Sequence, residues 1–105
     1  MNAIRQDLDL WEVWIEYDQF HPEYFGTLYV HGEITTGQKT NSCLIRMREE
    51  GCQLHLQLPA NISGIGDSQE VVYSEPIKNL NQYSAICIYA GEELVGFIND
   101  IEIMI

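Results

Sequence analysis

The run Trp11-Glu12-Val13-Trp14-Ile15-Glu16-Tyr17 alternates between two sets of side chains without a break. Successive residues of a β-strand point to opposite faces. The run therefore reads as a strand that turns Trp11, Val13, Ile15 and Tyr17 toward a core. Its other face, Glu12, Trp14 and Glu16, sets an indole between two carboxylates. A strand with one apolar face needs a sheet to pair in and a second layer above it, and this demand narrows the folds open to the chain.

Similar strand signals recur along the sequence. Residues 27–34 read as a second strand, reached through a loop (18–26) of turn formers and aromatics. Residues 43–48 and 52–58 read as a hairpin turning at Glu50-Gly51, which pairs Met47 with Leu54, Ile45 with Leu56 and Cys43 with Leu58 on one apolar face. Residues 71–73 form a short strand. Residues 84–89 and 94–98 form a hairpin around Gly91-Glu92. Both of its faces are apolar, so it is expected to be the most buried element. The closing run from Ile101 to Ile105 reads as a last strand. No segment carries a three-turn helical period, and at most one helical turn fits residues 76–83, opened by Pro76. The expected fold is all-β: a single domain over residues 1–105, built as an antiparallel β-sandwich or small barrel of about 7–8 short strands. Residues 1–7 are a loose lead-in. A chain of 105 residues buries roughly two-thirds of the surface its unfolded form exposes, enough for a core without disulfides or metals.

Charge narrows the function. Sixteen acids oppose five bases, a formal net charge of −11. The acids crowd the two ends, while Lys39, Arg46 and Arg48 lie in the middle third. Direct binding to a nucleic-acid backbone or to an anionic membrane is disfavoured, and a basic protein partner is favoured. No apolar run has the length of a membrane span, and the first residues carry no apolar leader core. Three cysteines, an odd number, fit a reducing, cytoplasmic setting better than a disulfide framework. Cys43 and Cys87 read as small core residues. The spacings hold no CxxC, no serine elbow and no phosphate loop, since Gly64-Ile65-Gly66 stands alone without a following helix. The expectation is a protein without catalytic residues, metal or cofactor.

A candidate site follows from pairing the first two strands. The register that sets Ile15 against Val30, Val13 against Gly32 and Trp11 against Ile34 aligns the apolar sides. The opposite face then pairs Glu16 with Tyr29, Trp14 with His31 and Glu12 with Glu33, with Cβ atoms about 5 Å apart. The patch Glu12, Trp14, Glu16, Tyr29, His31 and Glu33 holds three carboxylates, an imidazole and two aromatics. Opposing Glu12 to Glu33 is unfavourable unless a cation sits nearby. The leading expectation is a non-enzymatic interaction domain that engages a basic partner through this acidic and aromatic face, with Trp14 as anchor. A solvated face without function is the bland reading. A divalent metal on Glu12, His31 and Glu33, or glycoside hydrolysis by the Glu12–Glu33 pair, ranks lower. Two other classes remain: a small-molecule or carbohydrate-binding β-sandwich, and a structural protein that self-associates as a homodimer through the strand Ile101 to Ile105.

Overall fold

The computed structural model describes residues 11–20, 22–36, 43–59 and 67–104. These form eight strands: β1 (Glu12–Tyr17), β2 (Gly26–Thr36), β3 (Ile45–Glu50), β4 (Gln53–Gln57), β5 (Asp67–Ile77), β6 (Ala85–Ala90), β7 (Glu93–Ile98) and β8 (Glu102–Met104). They make two four-stranded sheets, ordered β5-β2-β1-β8 and β3-β4-β6-β7. The sheets pack face to face over one core drawn from both: Val13, Ile15, Leu28, Val30 and Ile34 from the first, Leu54, Leu56, Ile86 and Ile88 from the second. The chain is an all-β sandwich. The lead-in, His21, residues 37–42 and 60–66, and Ile105 lie outside the described residues.

The sheets are mixed. β1 pairs β8 in parallel, and β4 pairs β6 in parallel. Both follow from the chain crossing between layers: after β4 it visits the first sheet as β5 before returning as β6. A parallel neighbour needs such a crossover.

The β1–β2 register differs from the sequence expectation by two residues. Val13 faces Val30, Trp14 faces Tyr29 and Glu12 faces His31. A two-residue slip keeps every side chain on its own face, so hydrophobic alternation cannot detect it. Sterics at Gly32 select the register. A Cβ there would overlap the Trp11 ring, so the missing side chain makes room for a buried indole. At the other end Gly26 lies so close to the Glu16 carbonyl that a Cβ would overlap it. The turn is closed by the Asp18 N–H donating to the Phe25 carbonyl at 3.0 Å. Tyr17 is not core: it is 45% exposed at the strand end, with its ring 5.1 Å from that of Phe25.

The β3–β4 hairpin corrects a second expectation. Glu50 pairs with Gln53, so the two-residue turn is Gly51-Cys52, with Gly51 at φ 62°. Between Arg46 and Arg48 the ladder shifts by one residue, a β-bulge at Met47. Arg46 then pairs with Leu56 and Arg48 with His55. Cys43, Ile45 and Met47 are exposed, and Arg46 takes the rung opposite the buried Leu56. A bulge near a hairpin re-aims one side chain in this way. The second hairpin turns at Gly91-Glu92 and keeps Tyr89 against Leu94. A shift then moves the rest, so that Ile88 faces Gly96 and Ile86 faces Ile98. β6 is buried along most of its length, but β7 is an edge strand with Leu94 and Phe97 exposed.

β5 runs eleven residues rather than three. Its full ladder with β2 recruits Ser68, Gln69, Ser74 and Pro76 into strand geometry. Pro76 therefore sits in a strand and opens no helical turn. Residues 78–82 instead make a turn held by the Lys78 N–H on Gln82 Oε1 (2.8 Å) and the Asn81 N–H on Asn79 Oδ1 (3.1 Å).

A polar network pins the two sheets together on the β3–β5 side. Arg46 Nε donates to Glu75 Oε1 at 2.9 Å, and Arg46 Nη2 reaches Glu49 at 3.3 Å. The Tyr73 hydroxyl donates to Glu75 Oε1 at 2.6 Å, and the Tyr83 hydroxyl donates to Glu75 Oε2. Burial alone would raise the Glu75 carboxyl, but the hydrogen bonds from Tyr73, Tyr83 and Arg46 outweigh it and hold the group below its usual range. Burial and donation to Glu75 push both phenols up.

Candidate functional site

The outward face of the β5-β2-β1-β8 sheet carries the site. Alternation along β1 presents Glu12, Trp14 and Glu16. The ladders add Tyr29, His31 and Glu33 from β2, Glu70 from β5 and Glu102 from β8. All six residues expected from sequence share this face, although their pairings differ. Glu12 does not oppose Glu33. It faces His31, while Glu33 faces Glu70. The like-charge rung exists, one strand over from where it was expected.

The centre of the face is aromatic. Trp14 and Tyr29 are directly cross-strand and stack at 5.2 Å between centroids with planes 18° apart. The His31 ring meets Trp14 edge-on at 6.4 Å and 71°. Trp14 is half-buried, and its indole N–H donates to Glu16 Oε2 at 2.9 Å. That bond settles the polar end of the indole and fixes one carboxylate beside it. Offset aromatic pairs contribute about 0.5–1.5 kcal/mol beyond area burial, which holds the centre of the patch in one arrangement.

Around this centre the charge has one sign. The four strands contain no lysine or arginine. Glu12, Glu16, Glu33, Glu70 and Glu102 surround the stack, and the one basic group among them is His31, whose Nε2 lies 2.8 Å from Glu70 Oε2. His31 lies next to Glu33 in the β2 alternation, beside the Glu33–Glu70 rung.

Sequence reasoning missed Glu70 and Glu102. Glu70 lies just outside the strand expected over residues 71–73, and Ser, Gln and Glu before it have low strand propensity. Glu102 was placed on a strand, but nothing in local sequence shows that this strand lies beside Trp14.

Glu12, His31 and Glu33 do not form a metal site. Among the described residues no three His, Cys, Asp or Glu side chains converge so as to hold a metal ion. Glu12 and Glu33 are diagonal neighbours on this face and not directly opposed.

The outward face of the other sheet is different. His55 is buried, its Nδ1 lies 2.9 Å from the Tyr89 hydroxyl, and Arg48 lies over the Tyr89 ring at 5.8 Å. Cys87 neighbours His55 on β6, and burial pushes its thiol up, which disfavours the reactive thiolate. Cys87 is buried as expected, but Cys43 is exposed. Among the described residues no helix is long and apolar enough to cross a membrane.

No protein-family model matches the chain, and neither a curated protein nor a solved structure is significantly similar to it.

Proposed function

We propose that the protein is a non-enzymatic interaction domain that captures a basic protein partner on the outward face of the β5-β2-β1-β8 sheet. The observation that carries this reading is the pairing of a rigid aromatic centre with an unbalanced rim. Trp14 and Tyr29 are stacked and half-buried, and five carboxylates surround them with no lysine or arginine on any of the four strands. Interface energy concentrates in aromatic anchors, and surrounding charge sets encounter rate and partner choice. Glu33 opposing Glu70 is unfavourable in the free protein, and a lysine or arginine placed between them would relieve it. In this reading the three cysteines stay as free thiols in a cytoplasmic setting.

Two variants of equal charge separate this face from mere acidity. Glu33→Gln with Glu70→Gln removes two charges from the face, while Glu92→Gln with Glu93→Gln removes two from the β6–β7 turn. A partner captured from cell extract is expected to bind the wild type and the turn variant, and to be lost with the face variant and with Trp14→Ala. Capture should weaken as salt rises and the Debye length shortens from about 10 Å at 0.1 M to about 3 Å at 1 M. Equal retention by all variants at both salt concentrations would sink the proposal.

A further inference from the structure

The outward face of the β3-β4-β6-β7 sheet is built in rows that end in exposed apolar side chains. One row runs across all four strands: Ile45 pairs with Gln57, Gln57 with Tyr89 and Tyr89 with Leu94. In the next, Arg48 pairs with His55, His55 with Cys87 and Cys87 with Phe97. A third joins Glu50, Gln53 and Ala85. Ile45 is 52% exposed on β3, and Leu94 and Phe97 are 50% and 48% exposed on β7. Exposed apolar groups gathered on one face with a polar rim mark contact surfaces. The charge of the face is equally distinct. Arg48 and Glu50 are the charged members of the three rows, one of each sign, and they lie 3.7 Å apart. The face is therefore neutral on a chain of net charge −11, whereas five carboxylates crowd the outward face of the other sheet.

We propose that the protein forms a two-fold dimer through this face, with Ile45 of each copy seated on Leu94 of the other. Electrostatics and symmetry select a second copy as the occupant. A basic partner has no net charge to meet here. Two copies at −11 repel wherever their acids approach, but stacked through this face they meet where neither carries net charge. Their acidic faces then point apart across four sheets, roughly 30 Å at about 10 Å per gap, or about three Debye lengths at 0.1 M salt. A two-fold contact must be self-complementary. An axis running along the strands lays β3 of one copy on β7 of the other, so the first row sets Ile45 against Leu94 at both ends, apolar on apolar. The same axis keeps the two Arg48 groups on opposite edges, whereas an axis across the strands would set one against the other. Both acidic faces stay open on the outside of the dimer, so the contact goes beyond partner capture and does not depend on it.

Sedimentation velocity reads the dimer directly at chain concentrations up to about 1 mM, high enough to reveal a millimolar Kd. Wild type is expected to pass from monomer to dimer as concentration rises. Ile45→Asp and Leu94→Lys should each raise the dimer Kd by about tenfold or more, since each sets an unpaired charge against an apolar side chain in both halves of the contact. Both side chains are half-exposed at sheet edges, so circular dichroism should find both variants folded. Mixing the two variants should recover the dimer: the new carboxylate meets the new ammonium in one half of the contact, and the other half keeps its Ile45–Leu94 pair. Trp14→Ala should leave the dimer intact, and rising salt should leave it unchanged or tighten it, opposite in sign to partner capture. A wild type that stays monomeric throughout overturns the proposal, as does a dimer that persists in both single variants. Folded variants that mixing does not restore overturn the seating of Ile45 on Leu94. A dimer lost with Trp14→Ala, or one that dissociates as salt rises, overturns the assignment to this face.

Discussion

At the scale of single residues, Gly32 and Glu75 are each fixed by the groups packed against them. Gly32 exists for Trp11. In a strand interior alanine ordinarily outperforms glycine, yet here a Cβ would overlap the indole ring. Gly32→Ala is expected to destabilise the protein by about 2 kcal/mol, the scale of core overpacking, and to alter the near-ultraviolet tryptophan signal, both readable in a urea melt followed by circular dichroism. Glu75 holds the sheets together through Arg46, Tyr73 and Tyr83. Glu75→Gln should lose about 2 kcal/mol at neutral pH, since it leaves Arg46 and two hydroxyls without their charged partner. The pH dependence has a definite sign. The folded carboxyl titrates below its ordinary value of 4.5, so the unfolded chain binds the proton more readily. The stabilisation is present above pH 4.5 and is lost as pH falls through the lower folded value. Wild type should lose stability more steeply than Glu75→Gln below pH 4.5. In a spectrophotometric alkaline titration, Tyr73 and Tyr83 should ionise above the ordinary phenol range.

At the scale of elements, the two hairpin turns are set by backbone conformation alone. Gly51 and Gly91 have φ near +62° and +63°, and a Cβ at either would meet nothing within 4 Å. Alanine at Gly51 should be unfavourable by about 1–2 kcal/mol, the left-handed penalty for an L-residue. Asparagine should recover most of that loss, because it tolerates this conformation. Equal melting points for the two variants would show that the turn is not held as described. These turns were legible in the sequence because glycine marks them. The strands beside them were less so. Hydrophobic alternation placed Glu12, Trp14, Glu16, Tyr29, His31 and Glu33 on one face, because a strand's period of two is intrinsic to its backbone. Alternation could not choose between registers two residues apart, and it could not foresee the bulge at Met47. The bulge delivers Arg46 to Glu75, a residue twenty-nine positions away, so its cause lies outside the hairpin that contains it.

At the scale of the molecule, the acidic face strains the fold that carries it. Glu33 opposes Glu70, and among the described residues His31 alone is paired with either of them. Glu33→Lys is expected to raise the melting temperature at low ionic strength by an amount worth a few tenths of a kcal/mol or more. The gain should shrink as salt screens the repulsion, while capture of a basic partner falls. A variant both less stable and equally competent would refute the trade. The sequence by itself determined the all-β class, the acidic charge, a glycine in each hairpin turn and the shared face of Glu12, Trp14, Glu16, Tyr29, His31 and Glu33, because these depend on strand period, composition and backbone preference, all of which are local. Only the tertiary structure decided which rungs those residues share. It set Tyr29 against Trp14 and brought Glu70 and Glu102 to the same patch. Those outcomes depend on contacts between distant segments, where the fit of one indole over one glycine outweighs any local signal.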